Sequence, residues 1–140
     1  MQRLLDLKSN SESQSVRAVV LCPSRELAAQ TTSVLADLTY SCGGVVRCVD
    51  VGAKEVDQVL PQLLDLPDVL VGTPGRLATH IRDGNIDLSS SLQMLVIDEA
   101  DLIFSFGFET DLRYILGKLP SIYQVGLIYY DDHRTGILYC

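Results

Sequence analysis

No stretch of these 140 residues approaches the roughly 18 apolar positions that a membrane-spanning helix needs. The sequence also lacks G-x-x-x-x-G-K-[ST], the glycine-rich turn whose backbone and lysine cradle a nucleotide's phosphates. The four cysteines, Cys22, Cys42, Cys48 and Cys140, form no C-x-x-C pair, and the only histidines are His80 and His133, so no zinc pattern emerges. Cys22 and Cys48 lie in apolar segments and read as small core residues, while Cys140 lacks a prenylation box. Positive charge is scarce: 11 Lys and Arg stand against 18 Asp and Glu, a net charge of −7. That balance argues against a globally basic nucleic-acid binder and leaves only a local patch. An acid at Asp6 interrupts the segment where a signal peptide would be apolar, so an intracellular chain, with no membrane partner, is expected.

What is present suits one globular domain. Apolar residues make up 47% of the chain, and its length is enough for a single core. Apolar runs at Arg17–Cys22, Val45–Val51, Val69–Val71 and Met94–Ile97 read as strands, and Tyr123–Ile128 resembles another. Between them, Ser24 caps a helix reaching about Tyr40, with Leu27, Val34, Leu35 and Leu38 on one face. Lys54–Leu64 is a second helix, and a third begins at Pro74 and ends near Asp83–Asn85. A helix after Ile97 breaks at Ser105–Gly107, and another runs to Leu119, where Pro120 stops it. Strand and helix in alternation predict an α/β fold, a parallel sheet with helices on both faces. A solvated loop at Ser9–Ser15 precedes the first strand.

Asp98-Glu99-Ala100-Asp101 follows the strand Leu95–Ile97 directly. The carboxyl end of a parallel strand is where open α/β sheets gather ligand chemistry, and paired acids there can hold a metal or polarise water. Acids also simply favour the positive end of a helix dipole. Taken alone, the tetrapeptide leaves both readings open. Its companions are Pro23-Ser24-Arg25-Glu26-Leu27-Ala28 after the first strand and Val69-Leu70-Val71-Gly72-Thr73-Pro74-Gly75-Arg76 after the third. Phe106-Gly107-Phe108 introduces the last helix.

In these three motifs, their order and their spacing, residues 1 to 126 resemble the DEAD-box ATP-dependent RNA helicases. The resemblance implies a RecA-like fold, ATP and Mg²⁺ as cofactors, and RNA as partner. Asp98 would then hold Mg²⁺ through water, Glu99 would orient the hydrolytic water, and Asp101 would couple hydrolysis to RNA release. Pro23, Ser24, Arg25, Glu26, Thr73, Pro74, Gly75 and Arg76 would bind the RNA backbone. Gly52 would join them as half of the family's double-glycine element. Strand-to-helix turns offer free N–H groups to phosphates, and arginine adds fork-shaped donors, so this grip would be independent of base sequence. Ion pairing of Arg25 with Glu26 or Asp37, and plain surface exposure of Arg76, are the bland alternatives. Phe104, Phe106 and Phe108 read as packing residues rather than base stackers.

The chain departs from the family pattern at both ends. The phosphate loop and its strand, the adenine-reading Gln motif, the Ser-Ala-Thr motif and the second helicase domain have no counterpart in these residues. Residues 1–128 therefore read as a partial N-terminal RecA-like domain and residues 129–140 as a divergent tail. Loss of the phosphate-loop strand is expected to expose strand edges and to invite aggregation. ATP turnover is not expected of the 140 residues alone. A non-catalytic truncated isoform that binds RNA or a partner is the second reading, and a product without function the third. The run Asp101–Phe108 is similar to the nucleolar ribosome-assembly branch, which implies nucleus, nucleolus and pre-ribosomal particles; no obligate oligomer is expected.

Overall fold

The computed structural model describes residues 14–41, 43, 46–52, 56–121, 124–131 and 134–139. In chain order the elements are β1 (Ala18–Leu21), α1 (Arg25–Ser41), β2 (Cys48–Asp50), α2 (Val56–Leu64), β3 (Val69–Gly72) and α3 (Pro74–Arg82). They continue with β4 (Met94–Ile97), α4 (Ala100–Ser105), α5 (Glu109–Leu116), β5 (Gln124–Asp131) and β6 (Arg134–Tyr139). The six strands form one sheet in the order β2-β3-β1-β4-β5-β6, with the first five parallel and β6 antiparallel to β5. The expected α/β architecture is thus present, with strands slightly shorter than the apolar runs that encode them.

Side-chain alternation along each strand divides the core into two layers. Val19, Leu21, Val49, Leu70, Leu95 and Ile97 face one layer, with Val59 and Leu63 of α2, Leu77 and Ala78 of α3, Ile103 of α4, and Leu112 and Ile115 of α5. Ala18, Cys22, Val69 and Val71 face the other, against Ala28, Leu27 and Leu35 of α1. These central strands are apolar on both faces because both are covered, as a parallel sheet requires.

Two packing expectations are corrected. Helix α1 meets the sheet through Ala28, Leu35 and Thr39, so Val34 and Leu38 of the expected face are half exposed. Phe104 and Phe106 are exposed as well, at 53% and 58%. Helix α4 has only six residues and buries a single edge, Ala100 and Ile103, leaving the aromatics no core to reach.

Beyond the sequence that carries the resemblance, β5 continues to Asp131 and the chain returns as β6, pairing from Asp131↔Arg134 to Gly126↔Tyr139. The outer edge of β5 is therefore hydrogen-bonded. Among the described residues, the open edges of the sheet are β2 and β6.

Candidate nucleic-acid interface and acid turn

Register brings the motifs together. Leu21 of β1 lies level with Gly72 of β3 on one side and with Ile97 of β4 on the other. Cys22 N–H donates to the Gly72 carbonyl at 3.0 Å, and Asp98 N–H donates to the Leu21 carbonyl at 2.8 Å. The three chains therefore leave the sheet at one edge, with Pro23, Thr73 and Asp98 side by side where α/β sheets place ligands.

The turn at Pro23–Arg25 opens α1. Ser24 Oγ accepts from Leu27 N–H at 3.1 Å, an N-cap that fixes the helix entry. Arg25 and Glu26 are exposed in the first turn. Thr73 is the N-cap of α3 in an extended conformation, with Pro74 as the first helical residue. Its hydroxyl makes no capping bond, and the residue is buried. Arg25 and Arg76 both sit in the first turn of a helix, where the dipole disfavours cations by about 0.3–1 kcal/mol. At Arg25, which is exposed, the helix dipole alone does not favour arginine.

Pro23, Ser24, Arg25, Thr73, Gly75, Arg76, Thr79 and Phe108 line a shared cavity of about 360 Å³. Thr79 and Phe108 were not anticipated from the sequence. Thr79 follows Gly75 by one helical turn, a spacing that could have marked it, and donates to the Gly75 carbonyl at 2.9 Å. Phe108 packs on Gly75 so closely that a Cβ there would stand 3.4 Å from its ring. Gly52 belongs to the same edge: its Cα faces Gly72 and the Thr73 nitrogen, with a Cβ built there 3.9 and 3.8 Å away. Asp50 Oδ1 accepts from Gly52 N–H at 2.7 Å and holds that turn.

Beside the cavity edge, Asp98 and Glu99 are half-buried and Asp101 is exposed. Burial raises the Asp98 carboxyl above its ordinary value, partly countered by the Glu99 backbone N–H. Glu99 has a left-handed backbone, φ 48° and ψ 54°, which costs a non-glycine residue about 1–2 kcal/mol. Cys22 lies close to these acids. Burial pushes its thiol to about 11, with Asp98, Asp50 and Glu99 adding to the rise, so it stays neutral in the core.

The resemblance implies Mg²⁺, and the donor set suits it. The open pair of carboxylates supplies hard oxygen donors but no closed cage, the arrangement by which magnesium keeps water and substrate phosphates as ligands. A cation would also relieve the desolvation that raises Asp98. Asp98, through water, is the residue that would hold it, with Glu99 beside it to orient a water. Among the described residues no group of three or more His, Cys, Asp or Glu side chains gathers to hold a metal by itself.

One supporting residue escaped the sequence reading. His80, one helical turn beyond Arg76, is 1% exposed. Desolvation, and then the Arg76 charge, lower its pKa from the ordinary 6.5, opposed by the Val51 backbone and Asp83. A lowered histidine favours the folded state above the unfolded pKa and weakens it as pH falls through 6.5, when the unfolded chain takes up the proton. The urea midpoint of the chain is expected to fall between pH 7.5 and 5.5, and His80→Asn to show a much smaller fall. Equal falls in the two proteins would remove His80 as the cause.

Sheet, strand-end turns and paired acids define an α/β protein with its motif residues gathered at one edge of the sheet. Residues 1–129 match the DEAD/DEAH box helicase family model, and the chain belongs to that family. It is 40% identical over 129 residues to the probable ATP-dependent RNA helicase ddx56 of Dictyostelium discoideum, covering 91% of this chain and 19% of that protein. The ATP-dependent RNA helicase dbp9 of Schizosaccharomyces pombe is 41% identical over 122 residues, 86% of this chain and 20% of its own length. The solved DEAD box protein of Methanococcus jannaschii shares 27% identity and a TM-score of 0.68, over 94% of this chain and 35% of that one. The yeast DEAD-box splicing factor Prp28, at 24% identity, matches in fold with a TM-score of 0.78, over 90% of this chain and 31% of its own. The chain thus spans about a fifth of the length of these curated relatives.

Proposed function

We propose that this chain carries the RNA-backbone grip and the acid turn of an ATP-dependent RNA helicase, in which ATP hydrolysis is coupled to remodelling of RNA duplexes or ribonucleoproteins. The observation that supports it most is the convergence of Arg25, Thr73, Gly75 and Arg76 on one cavity at the carboxyl ends of parallel strands. Two arginines in the first turns of their helices and a threonine hydroxyl at the same edge are the donor types that suit phosphate and 2′-hydroxyl groups. Asp98 would hold Mg²⁺ through water and Glu99 would align the attacking water, the cation supplying charge neutralisation on the phosphates of ATP. Asp101, exposed beyond them, would face the coupling motif of a complete helicase.

The 140 residues contain no phosphate loop, and this favours a second reading for the chain by itself: an RNA-binding piece without turnover. The localisation that accompanies the main reading is the nucleus, at the nucleolus on pre-ribosomal particles. It rests on the likeness of Asp101–Phe108 to the ribosome-assembly branch.

Fluorescence anisotropy with a labelled ten-nucleotide oligouridylate separates these readings. The chain alone is expected to bind it, to lose affinity with salt at about 0.7 log units per log unit of salt for each phosphate contacted, and to be indifferent to ATP–Mg²⁺. RNA affinity that changes with ATP–Mg²⁺ would overturn the reading without turnover. Absence of RNA binding at low salt would overturn the RNA grip itself.

A further inference from the structure

Helix α3 places Gly75 and Arg82 seven residues apart, two turns along one face, and that face packs on α5. A single carboxylate on α5 touches both positions. Asp111 Oδ2 lies 3.4 Å from where a side chain at Gly75 would begin, and its Oδ1 accepts from Arg82 Nη2 at 2.9 Å. A negative charge therefore stands against the first turn of the helix that lends Gly75, Arg76 and Thr79 to the cavity. Left alone, it would repel an incoming phosphate and cancel part of the helix dipole. Arg82 does not line that cavity; its guanidinium bonds Asp111 and lies 4.6 Å over the Tyr114 ring, which holds it beside the carboxylate.

We infer that Arg82 and Asp111 form an electrostatic tuning pair for the RNA grip. Asp111 weakens phosphate binding at the first turn of α3, and Arg82, without touching RNA, offsets that charge. The pair sets affinity below its maximum, which suits a protein that must release RNA as well as hold it. The inference rests on the RNA-backbone reading of the cavity. Arg82 is a positioning residue that acts through Asp111, so its effect should vanish when the carboxylate does.

A double-mutant cycle with the same oligouridylate tests this at low salt, with circular dichroism and melting curves to check the fold. Asp111→Asn is expected to tighten binding about threefold, the order of effect of removing one nearby charge in a hydrated cleft. Arg82→Gln is expected to weaken it about threefold, and to leave affinity unchanged when added to Asp111→Asn. Both effects should shrink toward 0.5 M salt. A purely structural role predicts the opposite for Asp111→Asn, since the substitution removes an ion pair and a first-turn acid of α5 and should lower stability. Unchanged or weaker binding by Asp111→Asn, alongside binding that still requires Arg25 and Arg76, would overturn the tuning pair and leave the RNA grip standing. Arg82→Gln weakening binding equally in both backgrounds would make Arg82 a direct contact instead. Binding indifferent to Arg25 and Arg76 would remove the underlying reading and the pair with it.

Discussion

Replacing Arg25 and Arg76 together by alanine is expected to lower RNA affinity by roughly two orders of magnitude. Hydrogen bonds to charged groups contribute about 1.5–3 kcal/mol each, and exposure at Arg25 puts its share at the low end. The salt slope should become shallower by about 1.4, two counterions at roughly 0.7 each. At Arg25, loss of fold does not account for such a result. Arg25 occupies the first turn of α1 against the dipole, so Arg25→Ala should melt at or above the parent temperature. Single substitutions should each account for part of the loss, uniformly across RNA sequences, because phosphate contacts position the strand without reading bases. A loss confined to particular sequences would point to base readout instead.

Gly72→Ala should be the most disruptive small change at the sheet edge. A Cβ at that position would stand 2.6 Å from Val51 Cγ2, inside any acceptable contact, and Val51 is fully buried. Overpacking of this kind costs about 1–3 kcal/mol, or roughly 3–9 °C of melting temperature for a domain of this size. The strain also reaches function. Gly72 is the last residue of β3 and precedes Thr73, so a shift there should weaken RNA binding as well. Val51→Ala added to Gly72→Ala should recover part of the stability, because it removes the methyl that clashes. Scanning calorimetry on the four proteins measures it; strictly additive losses would mean the strain is relieved elsewhere.

These two predictions draw on different kinds of legibility. The strand ends could be read directly: Ala18–Leu21, Val69–Gly72 and Met94–Ile97 are short apolar runs, each ended by a turn signal or an acid. Once the strands are parallel and in register, Pro23, Thr73 and Asp98 must emerge together, so the site followed from the runs. What could not be read is which small residues set the contacts. The α1 face turns on Ala28 and Thr39 rather than Val34 and Leu38. The need for glycine at 72 comes from Val51, twenty-one positions earlier and across one helical crossover in the chain. Asp111 is thirty-six positions from Gly75, and only the packing of α5 on α3 brings them together. His80 was within reach, since its one-turn spacing from Arg76 puts both on one side of α3. Phe104 and Phe106 misled for a simpler reason: aromatic residues predict a core only when the helix is long enough to have a buried face.

The proposed RNA grip lies at the cavity between α1 and α3. Amide chemical-shift mapping by NMR, as the oligouridylate is added to the isotope-labelled chain, tests it most directly. The amides of Ser24, Arg25, Thr73, Gly75 and Arg76 are expected to move first and furthest, and Gly52 to follow. Shifts that concentrate around Arg47 or Lys118 while those amides stay still would contradict it.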